Sequence, residues 1–259
     1  MKLIEYDFYN EIKDWDFSHI NYDEEVLTDW DQWEILERLT NKDSKILDLG
    51  TGGGENVIKH FPEVKEILAT DYSEEMVKTA KKNLKKSGRK NITFDVMDNL
   101  KMTTPDEYFD VVNARNTVTD PKQIYKTLKP GGYVIVHGVD KLDCWELKRF
   151  FKQGQGFKDK KPISVIDYEN LLDAGFVDVE LVPIHVREFY KTREDLLALL
   201  LKVPILDDFS EEGDEEPTVD YYKKEIDEEV LDKYIETHTY EKGILLIRRY
   251  YGITAKKCK

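Results

Sequence analysis

The chain has 259 residues, 40% of them hydrophobic and 36% charged, enough for one substantial core, and α/β folds of this size are commonly a single domain. With 53 acidic against 39 basic residues the formal net charge is −14, and a surface of that sign repels phosphate backbones, which argues against nucleic acid as a partner. The longest apolar runs are only strand length and the opening M-K-L-I-E-Y-D lacks the apolar core of a signal peptide, so the expectation is a soluble, cytoplasmic protein with no membrane association.

Residues 1–44 read as a helical, aromatic-rich segment with Tyr6, Phe8, Tyr9, Trp15, Phe17, Tyr22, Trp30 and Trp33, ending in W-E-I-L-E-R-L, where the apolar residues fall at helical spacing. The spacing of Trp33, Ile35, Leu36 and Leu39 makes them a helix face packed on a sheet. Next come a short buried strand at Lys45–Leu49, a helix starting at Glu55–His60, a strand at Glu66–Thr70 and a helix at Ser73–Lys86, with Ser73 as a start signal and Gly88 as a stop. Strands follow at Asn91–Val96 and Phe109–Ala114, a helix at Pro121–Leu128 and a strand at Tyr133–His137 after the turn K-P-G-G. Short connections between alternating strands and helices imply a mostly parallel, doubly wound sheet.

Beyond His137 the pattern loosens. Residues 138–162 read as an irregular insertion containing F-K-Q-G-Q-G-F-K-D-K-K, followed by a helix at Ser164–Ala174, a strand at Val177–Val186 and a leucine-rich helix at Lys191–Lys202. Residues 207–229 are strongly acidic and read as a solvated loop; a helix at about Ile226–Thr237 and a strand at Gly243–Tyr251 complete the set.

The chemistry is concentrated in I-L-D-L-G-T-G-G-G-E, residues 46–55. Glycines 50, 52, 53 and 54 directly after a buried strand let the backbone turn sharply and approach a ligand with no Cβ between. Asp71, at the end of the next strand and about 20 residues on, stands where ribose hydroxyls are bound in such folds. A dinucleotide fingerprint needs a third glycine three positions after Gly52, where Glu55 stands instead, and a carboxylate there repels a diphosphate. A nucleoside cofactor without phosphates fits better. Cys144 and Cys258 form no C-x-x-C or Cys/His cluster, so neither a disulfide framework nor a metal site is indicated.

The ordered strings D-L-G-T-G-G-G-E, A-T-D-Y-S-E-E-M-V-K-T-A, F-D-V-M-D, Y-F-D-V-V-N-A-R-N and L-K-P-G-G-Y-V-I-V, spanning residues 45–137, resemble the motifs of class I S-adenosylmethionine-dependent methyltransferases. W-E-L-K at 145–148, G-Q-G at 154–156 and the segment around Arg187–Asp208 are similar to a group of bacterial small-molecule-type members whose substrate is unassigned. The resemblance implies a Rossmann-like, doubly wound, mostly parallel seven-stranded sheet with an antiparallel last strand. It implies one domain over 1–259, with 1–44 as a helical cap, 45–137 as the cofactor-binding core, and 138–162 and 187–242 as insertions forming a substrate lid.

Carried onto this sequence, the resemblance places S-adenosylmethionine on Asp48, near its amino-acid part; on Gly50 and Gly52 through their backbones; and on Asp71 through the ribose. Tyr72 packs on the adenine, Asp98 accepts from the adenine amino group with Met97 and Asn99 alongside, and Asn113 and Arg115 line either cofactor or substrate. Trp30, Asn116 and Trp145 are candidates for the acceptor pocket. A general base is needed only for an acceptor protonated in its ground state, and His19, His137 and Tyr9 are candidates by type. The function implied is methyl transfer to a small molecule. Methylation of RNA or protein, for which the lysine-rich stretch Lys148–Lys161 is the one favourable feature, is an alternative, as is a non-catalytic nucleoside-binding module.

Overall fold

The computed structural model describes residues 19–207 and 226–258. Strand β1 (Tyr22–Val26) comes first, then helix α1 (Gln32–Leu39). Asp31 starts α1 by accepting the backbone N–H groups of Trp33 and Glu34, which otherwise have no partner at a helix N-terminus. The alternating core follows as β2 (Lys45–Leu49), α2 (Glu55–His60), β3 (Glu66–Asp71), α3 (Glu74–Ser87), β4 (Ile92–Val96), β5 (Phe109–Arg115), α4 (Pro121–Thr127) and β6 (Leu128–Val139). The remainder is α5 (Trp145–Phe151), α6 (Ile163–Asp173), β7 (Val177–Tyr190), α7 (Arg193–Lys202), a 3-10 turn (Pro204–Leu206), α8 (Glu228–His238), β8 (Thr239–Tyr240) and β9 (Gly243–Lys256).

These strands make one sheet in the order β1-β7-β9-β6-β5-β2-β3-β4, with β8 on the side of β9. Strands β4, β3, β2, β5 and β6 run parallel, while β9 is antiparallel to both β6 and β7. The seven expected strands are therefore joined by two more, the edge strand β1 and the two-residue β8. Both faces of the parallel half are buried, as crossover helices require. Along β2, Ile46 faces a cluster with α1, α2 and α3 (Leu36, Val57, Val77, Ala80), while Leu47 and Leu49 face the opposite cluster with Ile124 and Leu171 of α4 and α6. A third cluster, under β7 and β9, gathers Leu147, Leu196, Leu200 and Leu231 from α5, α7 and α8.

Three sequence expectations change. Residues 22–26, expected to be helical, form β1, because the open edge of β7 offers them a ladder from Tyr22↔Tyr190 to Val26↔Val186; Tyr9 and residues 1–18 lie outside the described residues. The insertion at 138–162 contains a regular helix, α5, which buries Leu147 and Lys148. Residues 187–190, assigned to the second insertion, are the end of a 14-residue strand whose pairing with β9 runs to Tyr190↔Ile244. Most of the acidic stretch 207–229 lies outside the described residues.

Candidate functional site

The chain leaves β2 toward β3 and β4 on one side and later returns to place β5 and β6 on the other. The carboxyl ends of β2 and β5 are therefore the topological switch point, the place where open α/β sheets leave a crevice for ligands. Asp48 and Asn113 are register partners there. A cleft of about 280 Å3, open to solvent, lies over them and is also bordered by Trp33, Gly50, Thr51 and Arg115.

The glycine turn shapes its floor. Gly50 has φ +73°, a left-handed conformation that side chains strain to adopt, and a Cβ on it would come within 2.6 Å of Thr117 Cβ. Gly52, with φ +57°, directs its N–H to Asp71 Oδ2 at 2.8 Å, and Ser73 N–H reaches Asp71 Oδ1 at 2.9 Å. Each carboxylate oxygen keeps lone-pair capacity after one bond, so Asp71 is fixed in orientation yet still able to accept from a ligand. Burial raises its pKa, and the bonds from Ser73 and Gly52 work against that rise. Ser73 also caps α3 through Met76 N–H, so the capping of α3 does not consume Asp71.

Asp48 is 4% exposed. Asn113 Nδ2 donates to Asp48 Oδ1 at 2.6 Å, and Gln32 Nε2 donates in turn to Asn113 Oδ1, also at 2.6 Å. Gln32 belongs to the first turn of α1, so the helix before the core reaches across and fixes the amide that fixes the acid. Gln32 Oε1 is buried with no hydrogen-bond partner among the described residues, an uncommon state for a buried carbonyl oxygen. Burial pushes the Asp48 carboxyl up to about 7, with Asn113 opposing the shift and the nearby Asp71 adding to it. A buried acid poised near neutrality in a crevice has the character of a functional group.

Asp48, Gly50, Asn113 and Arg115 line the cleft together, and Asp71 is joined to its floor through Gly52. Met97 is buried and its N–H bonds the carbonyl of Asp71, while Tyr72 stays exposed beside it. Asp98 Oδ1 accepts the N–H of Leu100, and Asn99 Nδ2 bonds Thr117 Oγ1 at 3.0 Å, which ties the end of β4 to the loop after β5. Asn116 adopts a left-handed conformation and its Oδ1 lies 3.1 Å from His137 Nδ1. Trp30 lies over His137, with ring centroids 6.1 Å apart.

Others do not join. Trp145 packs against Phe157, and His19 is exposed; neither lines the cleft. His137 does not line the cleft but stands beside it as the register partner of Arg115, and it is a poor base, because burial and the neighbouring Arg115 depress its pKa to about 3. The helical spacing places Trp33 in the core alone and gives no signal for Gln32. Trp33 borders the cleft, stacked on His60 at 5.0 Å. Neither residue sits in a motif, and only the docking of α1 on the sheet brings them to the acids.

Residues 40–166 match a family described as a methyltransferase domain. Over 140 residues the chain is 29% identical to the ubiquinone/menaquinone biosynthesis C-methyltransferase UbiE of Rickettsia akari, a match covering 46% of this chain and 54% of that protein. The chain spans about half or less of the length of the curated relatives it matches. Its fold is similar to that of the YcgJ protein of Bacillus subtilis, with a TM-score of 0.54 and 14% identity over 87% of this chain and 97% of that one. It is also similar to that of phosphoethanolamine N-methyltransferase 2 of Haemonchus contortus, solved in complex with S-adenosyl-L-methionine, with a TM-score of 0.52 and 20% identity over 89% of this chain and 53% of that one. Among the described residues no helix is long and apolar enough to cross a membrane.

Proposed function

We propose that the chain, whose residues 40–166 match a methyltransferase domain family, transfers a methyl group from S-adenosylmethionine to a small-molecule acceptor. The observation that carries this reading is the pairing of Asp71, held on the left-handed glycine turn by Gly52 N–H, with Asp48 at the end of the adjacent parallel strand. Two carboxylates flanking a glycine-rich turn suit a cofactor that presents ribose hydroxyls and an ammonium. They suit a diphosphate badly. Glu55 adds to that mismatch: it is the first residue of α2, where its carboxylate accepts from Asn83.

In this reading Asp71 accepts the two ribose hydroxyls, a charge-assisted pair. Asp48 receives the ammonium, the backbones of Gly50 and Gly52 pass beneath the cofactor, and Asp98, Met97 and Asn99 border the adenine with Tyr72. S-adenosylmethionine supplies a methyl group already activated by its sulfonium. What remains for the protein is alignment and exclusion of water, which supply much of the rate of such a displacement. Trp33 and Phe61 provide an apolar wall for that purpose. With His137 held neutral and Nδ1 facing Asn116, its role is to shape the pocket. The helices α5, α7 and α8, within the expected insertions, gather over the antiparallel half of the sheet and cover the acceptor side.

A small acceptor is supported by the net charge of −14, which disfavours a polyanionic one. The lysine-rich stretch gives little support to RNA: Lys148 is buried and donates to the backbone of Gln155, and Lys161 pairs with Glu169. Supplied with S-adenosylmethionine, the full chain should release S-adenosylhomocysteine faster with pooled small molecules than with RNA or protein. Label transferred only to RNA or protein would overturn the small-molecule reading.

A further inference from the structure

Two arginines lie on the same face of the sheet, on strands separated only by β6, and are treated very differently. Arg248 of β9 is buried and saturated: its Nε and Nη2 bond Asp143 at 2.9 and 3.1 Å, and Nη1 approaches Glu188 at 3.5 Å. Arg115, at the carboxyl end of β5, borders the cleft, and its guanidinium makes no hydrogen bond or ion pair among the described residues. A guanidinium has five donors in a planar fork and does not lose its proton in proteins, so leaving a half-buried one with nothing to bond is costly. The chain has 14 more acidic than basic residues, so carboxylates to answer it are plentiful. Asp48 is close enough to be felt electrostatically but is bonded to Asn113.

On the side away from Asp48, the neighbours of Arg115 are aromatic rings. Strand register places it beside His137, and His137 beside Gly252. The His137 ring lies between Trp30, at 6.1 Å, and Tyr250, at 5.3 Å, tilted from them by 34° and 35°. Trp30 can sit there only because residue 252 is glycine, since a Cβ would stand 2.3 Å from the indole. Burial and Arg115 hold His137 neutral, and burial holds the Tyr250 phenol protonated. Asp48 and Asp71, assigned above to the cofactor, belong to β2 and β3; Arg115, His137 and Tyr250 belong to β5, β6 and β9, on the far side of the switch point, with Trp30 laid over them from the segment before α1.

We propose that Arg115 anchors an anion site on the acceptor side of the cleft, so that the molecule methylated is a flat, conjugated acid with its charge on Arg115 and its ring against Trp30, His137 and Tyr250. This rests on the methyltransferase reading and narrows its substrate class. The fork of Arg115 matches a carboxylate with two parallel bonds, and the aromatic edges favour a planar partner over an aliphatic one. The same fork would also match the carboxylate of the cofactor itself, and the experiment separates the two sources.

Calorimetry on the full chain first measures S-adenosylhomocysteine, then benzoate and benzamide added to the protein saturated with it, for wild type, Arg115→Met and Arg115→Lys. The expected result is benzoate bound at least about tenfold more tightly than benzamide, a preference lost in Arg115→Met and partly kept in Arg115→Lys, since a charged contact is what distinguishes the two probes. S-adenosylhomocysteine affinity should stay within about threefold of wild type in both variants, which also verifies that they fold. A drop of about tenfold or more in that affinity in Arg115→Met would overturn the proposal by giving Arg115 to the cofactor carboxylate. Benzoate binding no better than benzamide would overturn it as well. Failure of the wild type to bind S-adenosylhomocysteine at all would instead remove the methyltransferase reading on which it rests.

Discussion

Asp48 and Asp143 are both almost completely buried carboxylates, at 4% and 1% exposure, and the two halves of the sheet treat them in opposite ways. Asp143, in the antiparallel half, is fully answered: Arg248 grips both oxygens and Arg249 N–H adds a third donor at 2.8 Å. Asp48, in the parallel half, has an amide from Asn113 and is left near its neutralisation point. Around Asp143 the neighbours close the circle, with Tyr190 OH bonding Glu188 at 2.5 Å. Around Asp48 they leave it open, with Gln32 Oε1 orphaned and Arg115 unpaired among the described residues. Saturated burial holds a fold together; unsaturated burial at a switch point keeps bonding capacity for a ligand.

That contrast is broken most forcefully from the saturated side. Asp143→Ala leaves Arg248 with only the distant Glu188, and removing one partner of a buried pair costs about 3–5 kcal/mol; the urea midpoint should fall accordingly. Replacing both members with Leu and Met should recover most of the loss, because an apolar pair of similar volume has no charge to desolvate.

The same experiment at Asp48 should run the other way. Its folded-state pKa, about 7, lies above the ordinary value of 3.8, so the native state holds its proton more tightly than the unfolded chain. Stability therefore declines as pH rises through that window and stays lower above it. Asp48→Asn should remove this decline and be at least as stable as wild type at pH 8, as read from parallel denaturant titrations. For the cofactor the sign reverses, since the ionised acid receives the ammonium. S-adenosylmethionine affinity should rise about tenfold per pH unit up to about 7 and then level, with no such slope in Asp48→Asn.

The smallest effect is expected at Gln32. Gln32→Met keeps the bulk but removes one neutral hydrogen bond, about 1 kcal/mol of stability read in the urea midpoint, and frees the Asn113 amide to turn, which should weaken S-adenosylmethionine several-fold. A large fall in stability with unchanged affinity would make Gln32 a packing residue only.

How much of this was legible follows from where the information lies. Gly50, Gly52 and Asp71 belong to one strand-turn-helix-strand unit, so spacing and residue type were enough to find them. Asn113 was reachable because it ends a recognisable apolar strand. Gln32 was not, since its partner is 81 positions away and their meeting depends on how α1 docks. The Asp143–Arg248–Glu188 network was invisible for the same reason, being assembled from a loop and two strands. Residues 22–26 read as helix because Y-D-E-E-V has no apolar alternation; an edge strand with an exposed face needs none, and its partner β7 decides its structure.

Asp71 is the residue on which cofactor binding depends most directly. Calorimetric titration of wild type and Asp71→Ala with S-adenosylmethionine, with NADH as a control, should give saturable binding to wild type, about 100-fold weaker or no binding to the variant as two charge-assisted hydrogen bonds are lost, and no heat from NADH. No binding to wild type after removal of any co-purified nucleoside, or equal affinity in the variant, would contradict the assignment of this crevice to the cofactor.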